Sequence, residues 1–154
     1  MSTTQPTTVR LANSKDIKFL LTCNQAMADE TEDKGLDSDT LEQGITYLLE
    51  HANEGLYLVA ETDGILCGSL MLTFEWSDWR NGRFWWIQSV YVLPHFRRRG
   101  VYTALHAKSI ELAKQDPQAC GIRLYVEKEN LNAQQTYRSL GMYETHYQLF
   151  EQLF

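Results

Sequence analysis

The residue types best suited to chemistry are gathered in one stretch, Gln88-Ser-Val-Tyr-Val-Leu-Pro-His-Phe-Arg-Arg-Arg-Gly-Val-Tyr-Thr-Ala-Leu105. It reads as a buried strand, a turn marked by Pro94, a basic glycine-containing loop and the start of a helix. Free backbone N–H groups and the positive end of a helix dipole converge in such a loop, an arrangement that suits a diphosphate. Arg97, Arg98 and Arg99 add positive charge, and Gly100 lets the backbone approach a ligand closely.

The rest of the chain narrows the ligand. Fourteen Lys and Arg stand against twenty Asp and Glu, a formal charge of −6, so the three arginines form a local basic spot on an acidic body. That balance suits a small polyanion and excludes nucleic acid as a main partner. Cys23, Cys67 and Cys120 are odd in number and widely spaced. With neither metal-ligand nor C-x-x-C spacing they read as buried thiols in a reducing compartment, and no metal is expected. No apolar run reaches membrane-spanning length and Met1 to Thr8 is polar, so the expected location is cytoplasmic. At 154 residues the length is that of a single domain, taken as 1–154.

The elements that must position the loop follow from periodicity and punctuation. Thr7–Leu11 alternates as a first strand. Asn13 or Ser14 caps a helix carrying Ile17, Leu20, Leu21 and Met27. The acidic stretch Ala28–Asp39 reads as a loop or helix end, after which Ser38 or Asp39 opens a second helix. Strands Leu56–Glu61 and Ile65–Phe74 flank Asp63-Gly64, and Asn81-Gly82 repeats that two-residue hairpin signal ahead of Arg83–Val92. This last strand is apolar on both faces and so is expected to be central. A helix over Val101–Gln115, stopped by Asp116-Pro117, joins it to a strand at Ile122–Val126. A strand–helix–strand connection makes those two strands parallel neighbours. Asn130 caps a short helix bearing Ala133, Tyr137 and Leu140, closed by Gly141, and Met142–Phe154 is expected to form one or two terminal strands. The fold class is thus α+β, a mostly antiparallel mixed sheet with a parallel pair in the middle and helices on both faces.

Two linked signatures sharpen this. Val92-Leu-Pro-His-Phe-Arg97-Arg98-Arg99-Gly100-Val101-Tyr102 matches an R-x-x-G-x-G/A loop, with Tyr102 where Gly or Ala is usual. Asn130-Leu-Asn-Ala133-Gln-Gln-Thr-Tyr137-Arg-Ser-Leu-Gly141-Met142 matches N-x-x-A-x-x-x-Y-x-x-x-G-F/M. Together they closely resemble the GNAT superfamily of acyl-CoA-dependent N-acetyltransferases, and the resemblance extends from about Thr8 to the C-terminus.

The resemblance implies acetyl-CoA as donor, an amine as acceptor and direct transfer in a ternary complex. The diphosphate would be gripped by backbone N–H groups of about Arg98 to Thr103, including Val101 and Tyr102, with Arg97 and Arg99 as auxiliaries. A bulged strand would offer main-chain groups of Val90, Tyr91 and Val92 to the pantetheine arm and to the thioester oxygen. Asn130 and Tyr137 would belong to the same cofactor set, with Tyr137 as the acid for the leaving thiolate. Many relatives hold a glutamate about where Gln88 stands. An amide accepts no proton, so Glu75 and Asp78 are the candidate bases, and His146 is a further one. Glu30, Glu32, Glu75 and Asp78, with Trp76, Trp79 and Gln88, would favour a cationic amine of a small molecule or peptide. A second copy of the chain is a candidate partner through the aromatic C-terminal segment. A contrasting reading is a non-catalytic acyl-CoA-binding module that keeps the loop and lacks the base. A dinucleotide-binding sheet is disfavoured, since no G-x-G-x-x-G occurs.

Overall fold

The fold is described from a computed structural model covering residues 6–31 and 35–154. The start of the polar N-terminus, Met1 to Gln5, and Glu32 lie outside the described residues. These residues form two compact units that divide after Leu124.

The first unit is a five-stranded sheet ordered β1 (Thr8–Leu11), β2 (Gly55–Thr62), β3 (Ile65–Ser77), β4 (Gly82–Val92) and β5 (Ala119–Arg123). All neighbours are antiparallel except β4 and β5, which run parallel. Alternation along β2 assigns each side chain to one of two cores. Leu58 and Ala60 join Leu70, Leu72, Trp85 and Ile87 beneath Val101 and Leu105 of α3 (Val101–Gln115). Tyr57 and Val59 face the other way, against Leu20 of α1 (Ile17–Thr31) and Ile45 and Leu48 of α2 (Ser38–Glu50). The sheet therefore carries helices on both faces. Leu58, Leu70 and Leu105 are fully buried, a contribution of roughly 1.5–3 kcal/mol each.

Local chemistry explains most boundaries. Asn13 accepts from Lys15 N–H at 2.8 Å while Asp16 accepts from Asn13 N–H at 2.8 Å, a reciprocal cap that starts the turn leading into α1. Asp37 caps α2 by accepting from Thr40 N–H. At the first hairpin Asp63 (φ 54°) and Gly64 (φ 75°) both adopt the left-handed conformation that a two-residue turn requires. The second hairpin differs from expectation. Ser77 pairs with Gly82, so Asp78–Asn81 form a four-residue tip and only Asn81 has positive φ. Gly82 belongs to the strand, where a Cβ would lie 2.6 Å from the Gln118 carbonyl oxygen.

The second unit contains α4 (Leu131–Ser139). Asn130 Oδ1 accepts from Ala133 N–H at 3.2 Å. At the other end Gly141 (φ 95°) closes the helix: its N–H reaches Arg138 C=O, and Met142 N–H reaches Tyr137 C=O.

Four expectations are corrected. β5 begins three residues early, at Ala119, and ends at Arg123, so Leu124–Val126 are not strand. Met142–Phe154 forms no strand, and Tyr143, Phe150 and Phe154 are exposed. Without strands from that segment, the parallel pair lies at one end of the five-strand order. Cys23 and Cys67 are buried, whereas Cys120 is exposed because it sits at the irregularity where β5 joins β4.

Asp16 is a test of these local rules. It is buried, accepts two bonds from the Arg10 guanidinium at 2.8 and 2.9 Å, and is held below the usual carboxylate range chiefly by that pairing. The stability it contributes is therefore present above about pH 4 and is lost as the pH falls through its lowered folded value. Replacing Asp16→Asn is expected to cost about 1–3 kcal/mol at neutral pH, less the share that solvent screens at the partly exposed Arg10. Chemical denaturation at pH 7 and pH 3 should show the difference between variant and parent shrinking at the lower pH.

Candidate functional site

The site is built on β4, whose two edges behave differently. On the β3 side pairing runs the whole length, but Ser69 opposes Tyr91 and Met71 opposes Gln88, so Leu70 alone faces Ser89 and Val90. That extra residue is a bulge, and Ser89 sits in it at φ 52°. On the β5 side pairing stops at Trp86 opposite Arg123. From Ile87 to Val92 no described strand pairs with this edge, so its outward N–H and C=O groups are left out of the sheet's ladder. The bulge that the resemblance implied for Val90–Val92 lies at Ser89 and Val90.

The bulge also resets the strand's phase. Before it Trp85 and Ile87 face the α3 core; after it Val90 and Val92 do. Tyr91 consequently turns to the opposite face, towards α1.

Beyond Val92 the chain makes one turn of 3-10 helix at Pro94–Phe96 and enters the basic loop. Arg98 (φ 63°) and Gly100 (φ 80°) are both left-handed, and Gly100 is the N-cap of α3. Glycine has no side chain with which to cap, and the first intrahelical bond is Ala104 N–H to Gly100 C=O at 3.1 Å. The first-turn N–H groups therefore point out of the helix end towards the loop. Arg98 and Arg99 are exposed, with Arg99 5.6 Å from the Phe96 ring. Tyr102 does not crowd this mouth. Its hydroxyl is 3.1 Å from His106 Nδ1, one turn further along α3, and burial lowers the His106 pKa.

Arg97 behaves otherwise. Its Nε donates to Val92 C=O at 2.9 Å and its Nη2 to Glu30 at 3.0 Å, while Tyr91 Oη donates to the same carboxylate at 2.7 Å. Glu30, expected among acceptor-binding residues, thus lies against the loop. The hydrogen bond from Tyr91, with Arg97 beside it, holds its carboxyl below the usual range. Sequence reasoning missed this contact, which joins residues 67 positions apart.

The candidate bases are dispersed. Gln88 Oε1 accepts from Thr73 Oγ1 at 2.5 Å. Glu75 accepts from Arg123 at 2.8 Å and from Trp86 Nε1 at 3.2 Å. It stands opposite Phe84, five strand positions from Ser89, or roughly 16 Å by rise. Asp78 accepts from Trp79 N–H at the hairpin tip, where Trp76 and Trp79 are exposed. In the second unit Asn130 caps α4, Tyr137 is half-buried with its phenol pKa raised by burial, and His146 lies beside Tyr147. Among the described residues no group of His, Cys, Asp and Glu is arranged to hold a metal.

Residues 21–142 match the family model described as the acetyltransferase (GNAT) family. The chain belongs to the GNAT acetyltransferase family. Among solved structures it is similar to a possible acetyltransferase from Clostridium difficile 630, with 42% identity, TM-score 0.87, and 96% of this chain and 97% of that one covered. A predicted acetyltransferase with acetyl-CoA from Clostridium acetobutylicum shares the fold at 22% identity and TM-score 0.78, covering 96% of each chain. The aminoglycoside N-acetyltransferase AAC(6')-Iy in complex with CoA shares it at 18% identity and TM-score 0.78, covering 99% and 98%. No curated protein matches the chain. The GNAT chemistry of acetyl transfer therefore applies to this site in general terms.

The bulge makes a direct prediction. A left-handed conformation costs an L-residue such as Ser89 about 1–2 kcal/mol that glycine does not pay. Ser89→Gly should raise the melting temperature slightly and Ser89→Val should lower it by several degrees. Calorimetry of the three proteins checks the order; a Val variant as stable as the parent would mean the strand is regular at this point.

Proposed function

We propose that the protein is an N-acetyltransferase that moves an acetyl group from acetyl-CoA to a primary amine of a small molecule or peptide, directly and without an acyl-enzyme. The observation that carries this reading is a bulged β4, without a described strand partner on its β5 side from Ile87 on, followed in the chain by a basic loop and the N-terminus of α3, which has no side-chain cap. The open edge suits an extended pantetheine arm with amide groups of its own, which adds to a sheet as a strand does. The loop and helix end suit the diphosphate, through backbone N–H groups of Arg98 to Thr103 with Arg98 and Arg99 nearby. Acetyl-CoA and CoA in the two more distant neighbours support the same assignment.

The reaction then needs little covalent chemistry from the protein. The amine nitrogen attacks the thioester carbonyl carbon, and the developing oxyanion takes a hydrogen bond from an edge N–H among Val90–Val92. The C–N bond forms, the C–S bond breaks, and the CoA thiolate takes the phenolic proton of Tyr137, which is assigned by its place in the second signature. Burial keeps that phenol protonated at neutral pH. The amine proton leaves to water and Tyr137 regains its proton from solvent; Asp78, at the hairpin tip beyond Glu75, serves as base only through intervening water. Glu75 is engaged by Arg123, so it serves this role only if that pair opens. A thiol nucleophile is disfavoured, since neither signature contains a cysteine, and burial pushes Cys23 up to about 11. The amide of Gln88, tied to Thr73, also fits a module that binds acyl-CoA without turnover.

Release of free thiol from acetyl-CoA, measured over polyamines, amino acids, aminoglycosides and N-terminal peptides, separates the two readings. A transferase releases thiol with some cationic acceptor; a binding module binds CoA and releases none above background. Tyr137→Phe should then lower kcat by about 10–100-fold with the acetyl-CoA KM nearly unchanged. Unchanged turnover removes Tyr137 from the chemistry, and a clear preference for anionic acceptors defeats the cationic-amine assignment.

A further inference from the structure

Near the C-terminal end of α1, Glu30 reaches across to β4 and the loop that follows it. Its two oxygens accept three hydrogen bonds from two donors: Tyr91 Oη at 2.7 Å on Oε1, and Arg97 Nη2 at 3.0 Å on Oε2 and 3.3 Å on Oε1. Arg97 spends its Nε on Val92 C=O at 2.9 Å, and its guanidinium lies 5.3 Å from the Tyr91 ring centroid. The arginine that opens the R-x-x-G loop is therefore folded back onto the strand it follows. Its Nε and Nη2 are spent on protein acceptors, while Arg98 and Arg99 are exposed beside the helix end.

We propose that Glu30 is a positioning residue for the diphosphate loop, and that Arg97 serves as its strut and not as a phosphate ligand. The carboxylate draws Arg97 back over Tyr91, and Arg97 in turn holds the Val92 carbonyl. Together they set the angle at which the chain leaves β4 and arrives at Gly100. Three contacts from three elements meet where β4 ends, so the loop keeps its shape before a ligand arrives, and less ordering is left for binding to supply. Both members of the ion pair are nearly half exposed. Such a pair contributes little to global stability. Its effect should therefore appear in ligand affinity more than in folding.

The inference rests on the reading that this loop takes the diphosphate of CoA, and the experiment separates the two. CoA binding is measured by calorimetry over a range of salt for the parent, Glu30→Ala, Glu30→Gln, Arg97→Ala and the double variant Glu30→Ala/Arg97→Ala, with melting temperatures as controls. Glu30→Ala should weaken CoA binding about tenfold with little change in melting temperature, and Arg97→Ala should do the same. The double variant should be no weaker than either single one. Glu30→Gln keeps an acceptor oxygen for Tyr91 and Arg97 and should recover most of the affinity. The slope of affinity against salt should match the parent's throughout, since no phosphate contact is lost. Additive losses, or an Arg97→Ala variant with a flattened salt slope, would place Arg97 on the phosphates and overturn the proposal. Unaltered affinity in Glu30→Ala overturns it too. A parent protein that binds no CoA defeats instead the diphosphate reading beneath it.

Discussion

Everything around the site depends on one added residue in β4. That strand has to fill a core and also present an edge, demands that conflict in a regular sheet because each residue's direction is set by its neighbours. Inserting Ser89 breaks the phase. Trp85 and Ile87 pack under α3 before the bulge and Val90 and Val92 after it, while Tyr91 swings to the α1 side and finds Glu30. The left-handed conformation of Ser89 costs about 1–2 kcal/mol. Packing two valines against the α3 core returns more than that even when each is only partly buried. The strain is thus carried by the hydrophobic core, and from Ile87 on the edge towards β5 has no described strand partner.

The point where β4 and β5 separate is held from above. Glu75 on β3 reaches over β4 to Arg123, the last residue of β5, and takes Trp86 Nε1 on the way. Arg123 also lies 3.6 Å from the centre of the Phe84 ring. Trp86 and Arg123 are the final pair in the register. The carboxylate therefore sits at the apex of the fork, where it ties three strands together. This ion pair is exposed enough to add little to stability. Its effect is geometric, since it marks where the pairing of β4 with β5 ends.

How legible this was depends on how local each signal is. The span of α3, the Asn130 cap, the Gly141 closure and the Asp63-Gly64 turn are written in adjacent residues, and the structure reproduces them. The limits of β5 were not legible. Ile122, Leu124 and Val126 favour a strand by type, yet strand formation depends on a partner, and β4 offers one only as far as Trp86. Met142–Phe154 has the same aromatic and aliphatic bias and forms no strand. The bulge left no trace, because β4 is apolar at odd and even positions alike from Phe84 to Ile87 and its phase cannot be read from type. The Glu30 contact left none: acidic residues near a helix end look alike until the fold brings one to an arginine far along the chain.

Charge follows the same division between local and global. A chain of net charge −6 repels anions on average, yet screening limits that average to about 8 Å at physiological salt. Within that radius of the α3 N-terminus the field is set by the helix end, Arg98 and Arg99, while Glu30 offsets Arg97. A carboxylate this near an anion site would ordinarily oppose binding. Here it accepts from Tyr91 and Arg97, so its own charge is matched. Backbone N–H groups are fixed by the fold and cannot rotate out of reach as arginine side chains do. Recognition that rests on them depends on loop shape more than on the number of arginines. On that account the contacts behind the loop govern affinity as much as the residues in front of it.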